Sequence, residues 1–142
     1  MGTKEYLSLI KKYDKMIANK LLEYCQINSM AYSICVGGDG DRVQTSGNKD
    51  KVGSIVSKMV DLETEIDVLA KERKKIVSEI EDIDDSLHYD LLAKRYILGM
   101  SNQEVAYEVK MSEEEVSREF KKAIDGFGEL HEQSILLKFP QL

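Results

Sequence analysis

Between Val52 and Leu87 apolar residues return alternately three and four positions apart: Val52, Ile55, Met59, Leu62, Ile66, Leu69, Ile76, Ile80, Ile83 and Leu87, with Arg73 the one charged member of the row. Such spacing marks a helix that buries a narrow seam along its whole length. At 1.5 Å per residue that helix would run roughly 50 Å. It needs a partner of comparable length to keep the seam out of water. The chain offers one just upstream. Over residues 4–35, Tyr6, Ile10, Tyr13, Ile17, Leu21, Tyr24, Asn28, Ala31 and Cys35 trace one helical face, widened by Leu9 and Leu22. The polar Asn28 in that row can fix register.

Between the two patterns lies Val36-Gly37-Gly38-Asp39-Gly40-Asp41, where three glycines in four positions oppose helix. The segment through Asn48 reads as a loop, with Ser46 or Asn48 available to cap the next helix. Pairing across this loop gives a long antiparallel helical hairpin over 1–85. The same seam would also serve a homodimer. The seam breaks at Asp82-Ile83-Asp84-Asp85-Ser86, an acidic stretch suited to capping. Leu87, Leu91, Leu92, Arg95, Tyr96 and Leu98 then continue as a further helix closed by Gly99. Residues 86–130 read as three short helices, and 131–142 as a semi-apolar tail that either docks on them or frays. The expected fold class is all-α: a coiled-coil-like hairpin followed by a small trihelical helix-turn-helix unit.

The helix-turn-helix reading rests on Gly99 to Ala123. Ser101 with Glu104, and Ser112 with Glu115, have the spacing of capping boxes at two successive helix starts. Val105, Ala106 and Val109 would face inward, with Ala106 small enough for a close helix crossing. Lys110-Met111-Ser112 supplies the turn, and Met111 plugs the core. Val116, Phe120, Ala123 and Ile124 would hold the second helix against Leu91, Tyr96 and Val105. That leaves Ser112, Glu114, Ser117, Arg118, Lys121 and Lys122 as the residues that would face DNA. Arg118 suits guanine or a phosphate, the two lysines suit phosphates, and a glutamate can accept from cytosine N4.

Charge sets the strength of that contact. The chain carries a formal net charge of -6. Residues 101–125 hold four basic and seven acidic side chains, including Glu113-Glu114-Glu115 at the tip of the second helix. DNA binding by this unit alone is therefore expected to be weak. Dimerisation, a partner such as RNA polymerase, or basic residues elsewhere (Lys11, Lys12, Lys15 and Lys20, or Lys71, Arg73, Lys74 and Lys75) would have to supply the rest. The second lysine cluster also reads as a solvated face balanced by Glu63, Glu65, Glu72 and Glu79. The rival function is a helical interaction or structural protein whose acidic trihelical unit contacts a protein partner and no DNA.

The segment GDRVQTSGNKDKVGSIVSKMVDLETEI, followed by LLAKRYILGMSNQEVAYEVKMSEEEVSREFKKAI, resembles a family of small sigma-factor-like late transcriptional regulators from phages and prophages of Gram-positive bacteria. The resemblance runs from Tyr6-Leu7 to about Leu130 and is most specific at Asp41-Arg42-Val43-Gln44-Thr45-Ser46 with Asp50-Lys51. It implies a helical N-terminal region, a C-terminal helix-turn-helix like region 4 of sigma factors, and activation of late or packaging genes. Arg95-Tyr96 through Gly99, Glu104-Val105-Ala106, Met111-Ser112 and Val116 to Ala123 match the successive parts of that motif. The chain departs from the family at Asn102 or Gln103, where an aromatic is usual, and across Glu113, Glu114 and Ser117. Arg42, Gln44, Lys49 and Lys51 form a separate candidate group. They either structure the loop, with Arg42 paired to Asp39, Asp41 or Asp50, or meet DNA phosphates.

No catalytic constellation emerges, and the chain is read as a non-enzyme without metal or cofactor. Gly37 to Gly40 lacks the Gly-Lys-Ser/Thr of a phosphate loop. Asp39 and Asp41 begin like a calcium loop, but Val43 and Asp50 occupy positions where that loop needs other ligands. Asp82, Asp84 and Asp85 are better caps than metal ligands, and His88 reads as a helix-surface residue. Cys25 and Cys35, about 15 Å apart on one helix, are too distant for a disulfide and are expected as buried free thiols. No apolar run is long enough for a membrane span, the start MGTKEYLSLI has no secretory core, and Tyr6 stands where a myristoylation signal needs Ser or Thr. The expected location is the cytoplasm, with no membrane partner.

Overall fold

The computed structural model describes residues 2–37 and 46–140, with side chains described for 2–33 and 51–140. It is all-α, with six helices and no strand among the described residues: α1 (Gly2–Gly37), α2 (Ser46–Glu81), α3 (Ser86–Leu92), α4 (Asn102–Val109), α5 (Glu113–Leu130) and α6 (Glu132–Lys138). A π-helical turn, Ala93–Ile97, carries α3 towards α4. The two long helices are 36 residues each. They reach further into the expected loop than the glycine pattern implied, since α1 runs to Gly37 and α2 begins at Ser46. None of the described helices is long and apolar enough to cross a membrane.

The chain divides into two compact units, Met1–Asp14 with Glu72–Leu142, and Lys15–Lys71. These units cut across the stretch 1–85 instead of following it. In the first, Tyr6, Leu7 and Ile10 of α1 and Ile76 and Ile80 of α2 meet Leu92, Ala123, Ile124, Phe127 and Ile135 in one core. Each fully buried Leu, Ile or Phe there contributes about 1.5–3 kcal/mol by leaving water. The C-terminal tail is docked, because Ile135 of α6 is part of this core. Helix α5 does not stop at Gly126 or Gly128 but runs to Leu130, which brings Phe127 into the centre. Gly128 allows α1 to approach: a Cβ there would lie 2.6 Å from Thr3 Oγ1.

The first unit also buries a carboxylate. Glu79, read from sequence as part of a solvated charge balance, is only 8% exposed. The Tyr6 hydroxyl donates to its Oε1 and the Ser134 hydroxyl to its Oε2. His131 places Nδ1 3.6 Å from Oε2, while its Nε2 lies 3.1 Å from the Glu79 carbonyl oxygen. A buried charge is tolerated only when surrounded by such donors. Burial, and then the bond to Glu79, pushes the Tyr6 phenol well above its ordinary range. At the margin of the core the charged member of the α2 seam is neutralised, Arg73 donating from Nε to Asp14.

The second unit is a two-helix arm. Among its described side chains only Ile55 and Leu62 are buried apolar groups. Lys20 pairs with Glu65 at 2.7 Å, and the Tyr24 hydroxyl donates to Glu63 at 2.7 Å. Three expectations fail here for one reason, namely that two helices alone cover only a narrow strip of each other. Leu21 and Leu22 are 49% and 64% exposed. Asn28 faces solvent rather than a seam. Cys25 is a free thiol, as expected, but an exposed one. The Cys35 side chain lies outside the described residues.

Candidate nucleic-acid interface

The segment from Gly99 to Leu130 is shaped by its turns. The π-helical turn closes with Leu98 N–H on Ala93 O at 3.0 Å, and Gly99 then takes φ +73°, a left-handed conformation that suits glycine. Leu98, just before the turn, is exposed. Arg95 Nη1 donates to the Met100 carbonyl at 3.0 Å and secures the exit. Ser101 begins α4 with the full capping box expected: its hydroxyl accepts from Glu104 N–H, and the Glu104 carboxylate accepts from Ser101 N–H. Lys110 ends α4 in the left-handed region (φ 58°), which lets Met111 N–H reach back to Ala106 O at 3.1 Å.

Helix α5 then starts at Ser112, whose hydroxyl accepts from Glu115 N–H at 3.2 Å. Only this half of the second capping box forms, so Ser112 is occupied as a cap. Leu91, Val105, Ala106 and Val116 close a small core, joined at its edge by Leu87, Met100, Val109, Met111 and Phe120. Phe120 links the two cores by stacking on Tyr96, with ring centroids 5.9 Å apart. Asp85 caps α3 by accepting from Leu87 and His88 N–H. His88 is not a simple surface residue, since its Nε2 lies 3.0 Å from Glu119 on α5. That contact, ahead of the nearby Lys122, holds the Glu119 carboxyl below its ordinary range.

With Val116, Ala123, Ile124 and Phe127 turned inward, α5 presents Glu113, Glu114, Glu115, Ser117, Arg118, Lys121 and Lys122 outward. Arg118 and Lys121 make no ion pair among the described residues. Lys122 is 68% exposed and stands 3.5 Å from Glu119. The structure therefore brings Glu114, Ser117, Arg118, Lys121 and Lys122 onto one exposed face. Of the other candidate group, Arg42 and Gln44 lie outside the described residues, as does the Lys49 side chain, and Lys51 is exposed on α2 in the second unit.

One flank of α5 borders an open cleft of about 570 Å³ that sequence reading did not foresee. Lys4 of α1, Arg95 and Tyr96 of the π-helical turn, Asn102 of α4, and Ser117 and Lys121 of α5 line it. Burial there raises the Tyr96 phenol above its ordinary range. Lys4 carries no sequence signal for this placement, because Arg95, Tyr96, Asn102, Ser117 and Lys121, which it joins in the cleft, are more than ninety residues away along the chain. Among the described residues no group of three His, Cys, Asp or Glu side chains is arranged to hold a metal ion. No family model, curated protein or solved structure matches the chain.

Proposed function

We propose that this chain is a phage-type transcription regulator in which α4, the turn at Lys110 and α5 act as a helix-turn-helix. It binds double-stranded DNA weakly on its own and acts with host RNA polymerase, at late genes. It performs no catalysis. The observation that carries the reading is the exposed face of α5, where Arg118 and Lys121 stand without an ion-pair partner among the described residues. That face is held by the capped starts of α4 and α5 and the small core between them, as the second helix of a helix-turn-helix is held for the major groove.

A second reading is favoured by the exposed Glu113-Glu114-Glu115 tip: an interaction protein whose acidic helix end contacts a protein and not DNA. A selection from a library of duplexes, with and without RNA polymerase, separates the two. The regulator reading expects enriched sequences whose retention weakens in Arg118→Ala and Lys121→Ala. Enrichment only with polymerase assigns the sigma-like mode. No enrichment in either condition overturns the regulator reading in favour of the second.

A further inference from the structure

The charges on α5 alone are a poor match for a polyanion, and the cleft beside it alters that balance. Lys4, from the first turns of α1, and Arg95, from the π-helical turn, converge with Lys121 on one hollow, with Asn102 and Ser117 as neutral hydrogen-bond donors. Lys4 and Lys121 are exposed, and none of the three cations makes an ion pair among the described residues. Arg95 spends Nη1 on the Met100 carbonyl, which fixes its guanidinium in place and leaves other N–H groups to donate. The stacked Tyr96 and Phe120 rings form a firm floor. Three cations contributed by three separate elements, at the edge of the face that would enter a groove, are placed as backbone contacts are in protein–DNA complexes.

We propose that this cleft receives a phosphodiester of the DNA backbone, gripped by Lys4, Arg95 and Lys121, while α5 lies in the adjacent groove. The inference rests on the regulator reading above. It adds the start of α1 to the DNA-contacting surface, which no helix-turn-helix pattern would have indicated. Glu5 and Asp125 also line the cleft and oppose the contact. They give the grip its low intrinsic strength, so removing their charge should tighten it.

The test is a salt titration of a random-sequence duplex against the full chain, alone and with RNA polymerase in a parallel arm. Lys4→Ala is expected to weaken binding about tenfold at ~50 mM salt and to reduce the slope of log K against log salt by about one. Asp125→Asn is expected to strengthen binding several-fold, roughly the reverse of losing one contact. Lys58→Ala, on the exposed surface of α2 in the other unit, controls for loss of one charge and should leave both slope and affinity unchanged. Since Lys4 is exposed, an unchanged melting curve verifies the fold of its variant. If Lys4→Ala behaves as Lys58→Ala while Arg118→Ala weakens binding, the cleft contact is overturned and the regulator reading stands. If the unaltered chain retains no duplex in either arm, both fall.

Discussion

The same two helices pass through both compact units, and they fare differently in each. Near the start of α1 and the end of α2, Tyr6, Leu7, Ile10, Ile76 and Ile80 are all at most 1% exposed. Along Lys15–Lys71, Ile55 and Leu62 are the buried apolar side chains among those described, while Val52, Met59, Ile66 and Leu69 of the same seam are only half-buried. The heptad spacing is equally regular in both parts of α2. A seam tells a helix which side to turn inward, but the depth of burial depends on how many other helices arrive. In the first unit α3, α5 and α6 arrive, whereas the described residues of the second belong to α1 and α2 alone.

The sharpest way to break this comparison is to cut a cavity in each unit. Phe127→Ala should cost about 3–5 kcal/mol in urea unfolding, and Leu62→Ala near the low end of the ~2–5 kcal/mol range, because the thinly covered arm can relax around the loss. Equal costs would show that the arm is as firmly packed as the core. Tyr6→Phe comes next. It deprives the buried Glu79 carboxylate of a donor and should cost about 1.5–3 kcal/mol. The same bond has a pH signature. Folding raises the Tyr6 pKa, so its contribution is complete below the unfolded value of about 10 and declines as pH rises beyond it. Unfolding titrations from pH 8 to 11 should show this alkaline decline in the unaltered chain and its reduction in Tyr6→Phe.

The smallest effects separate a backbone device from a surface one. Ser101→Ala removes a capping box at the entry to α4 and should cost about 1 kcal/mol. Lys20→Ala removes an ion pair of the arm whose glutamate side is 52% exposed and should cost under about 0.5 kcal/mol. Thermal melts of the two variants would sharpen the contrast, and a larger loss for Lys20→Ala would reverse it.

Much of the local structure could be read directly. The two long helices, the acidic break capped by Asp85, the Ser101 capping box and the turn at Lys110 all follow from spacing and side-chain chemistry within a few residues. What escaped depends on contacts between distant parts of the chain. Glu79 looks like any polar residue beside a seam until Tyr6, His131 and Ser134 arrive from α1 and the chain's last helices. His88 finds Glu119 in the same way. Helix α5 continues through Gly126 and Gly128 although glycine weakens a helix, because its tertiary contacts outweigh that local tendency. On the candidate site, the outward set Glu114, Ser117, Arg118, Lys121 and Lys122 was legible from helical periodicity. The cleft was not, since Lys4 joins it only through folding.

Helix α5 gives up helix-forming tendency twice, at Gly126 and Gly128, and only the second has a steric reason. Around Gly126 there is open space within 4 Å, so alanine could be accommodated there and would stiffen the helix. At Gly128 the methyl would meet the Thr3 hydroxyl, so what one site can hold depends on the other. Enlarging residue 128 therefore requires the Thr3 side chain to turn away or shrink, which ties the chain's opening turn to the packing of its longest C-terminal helix.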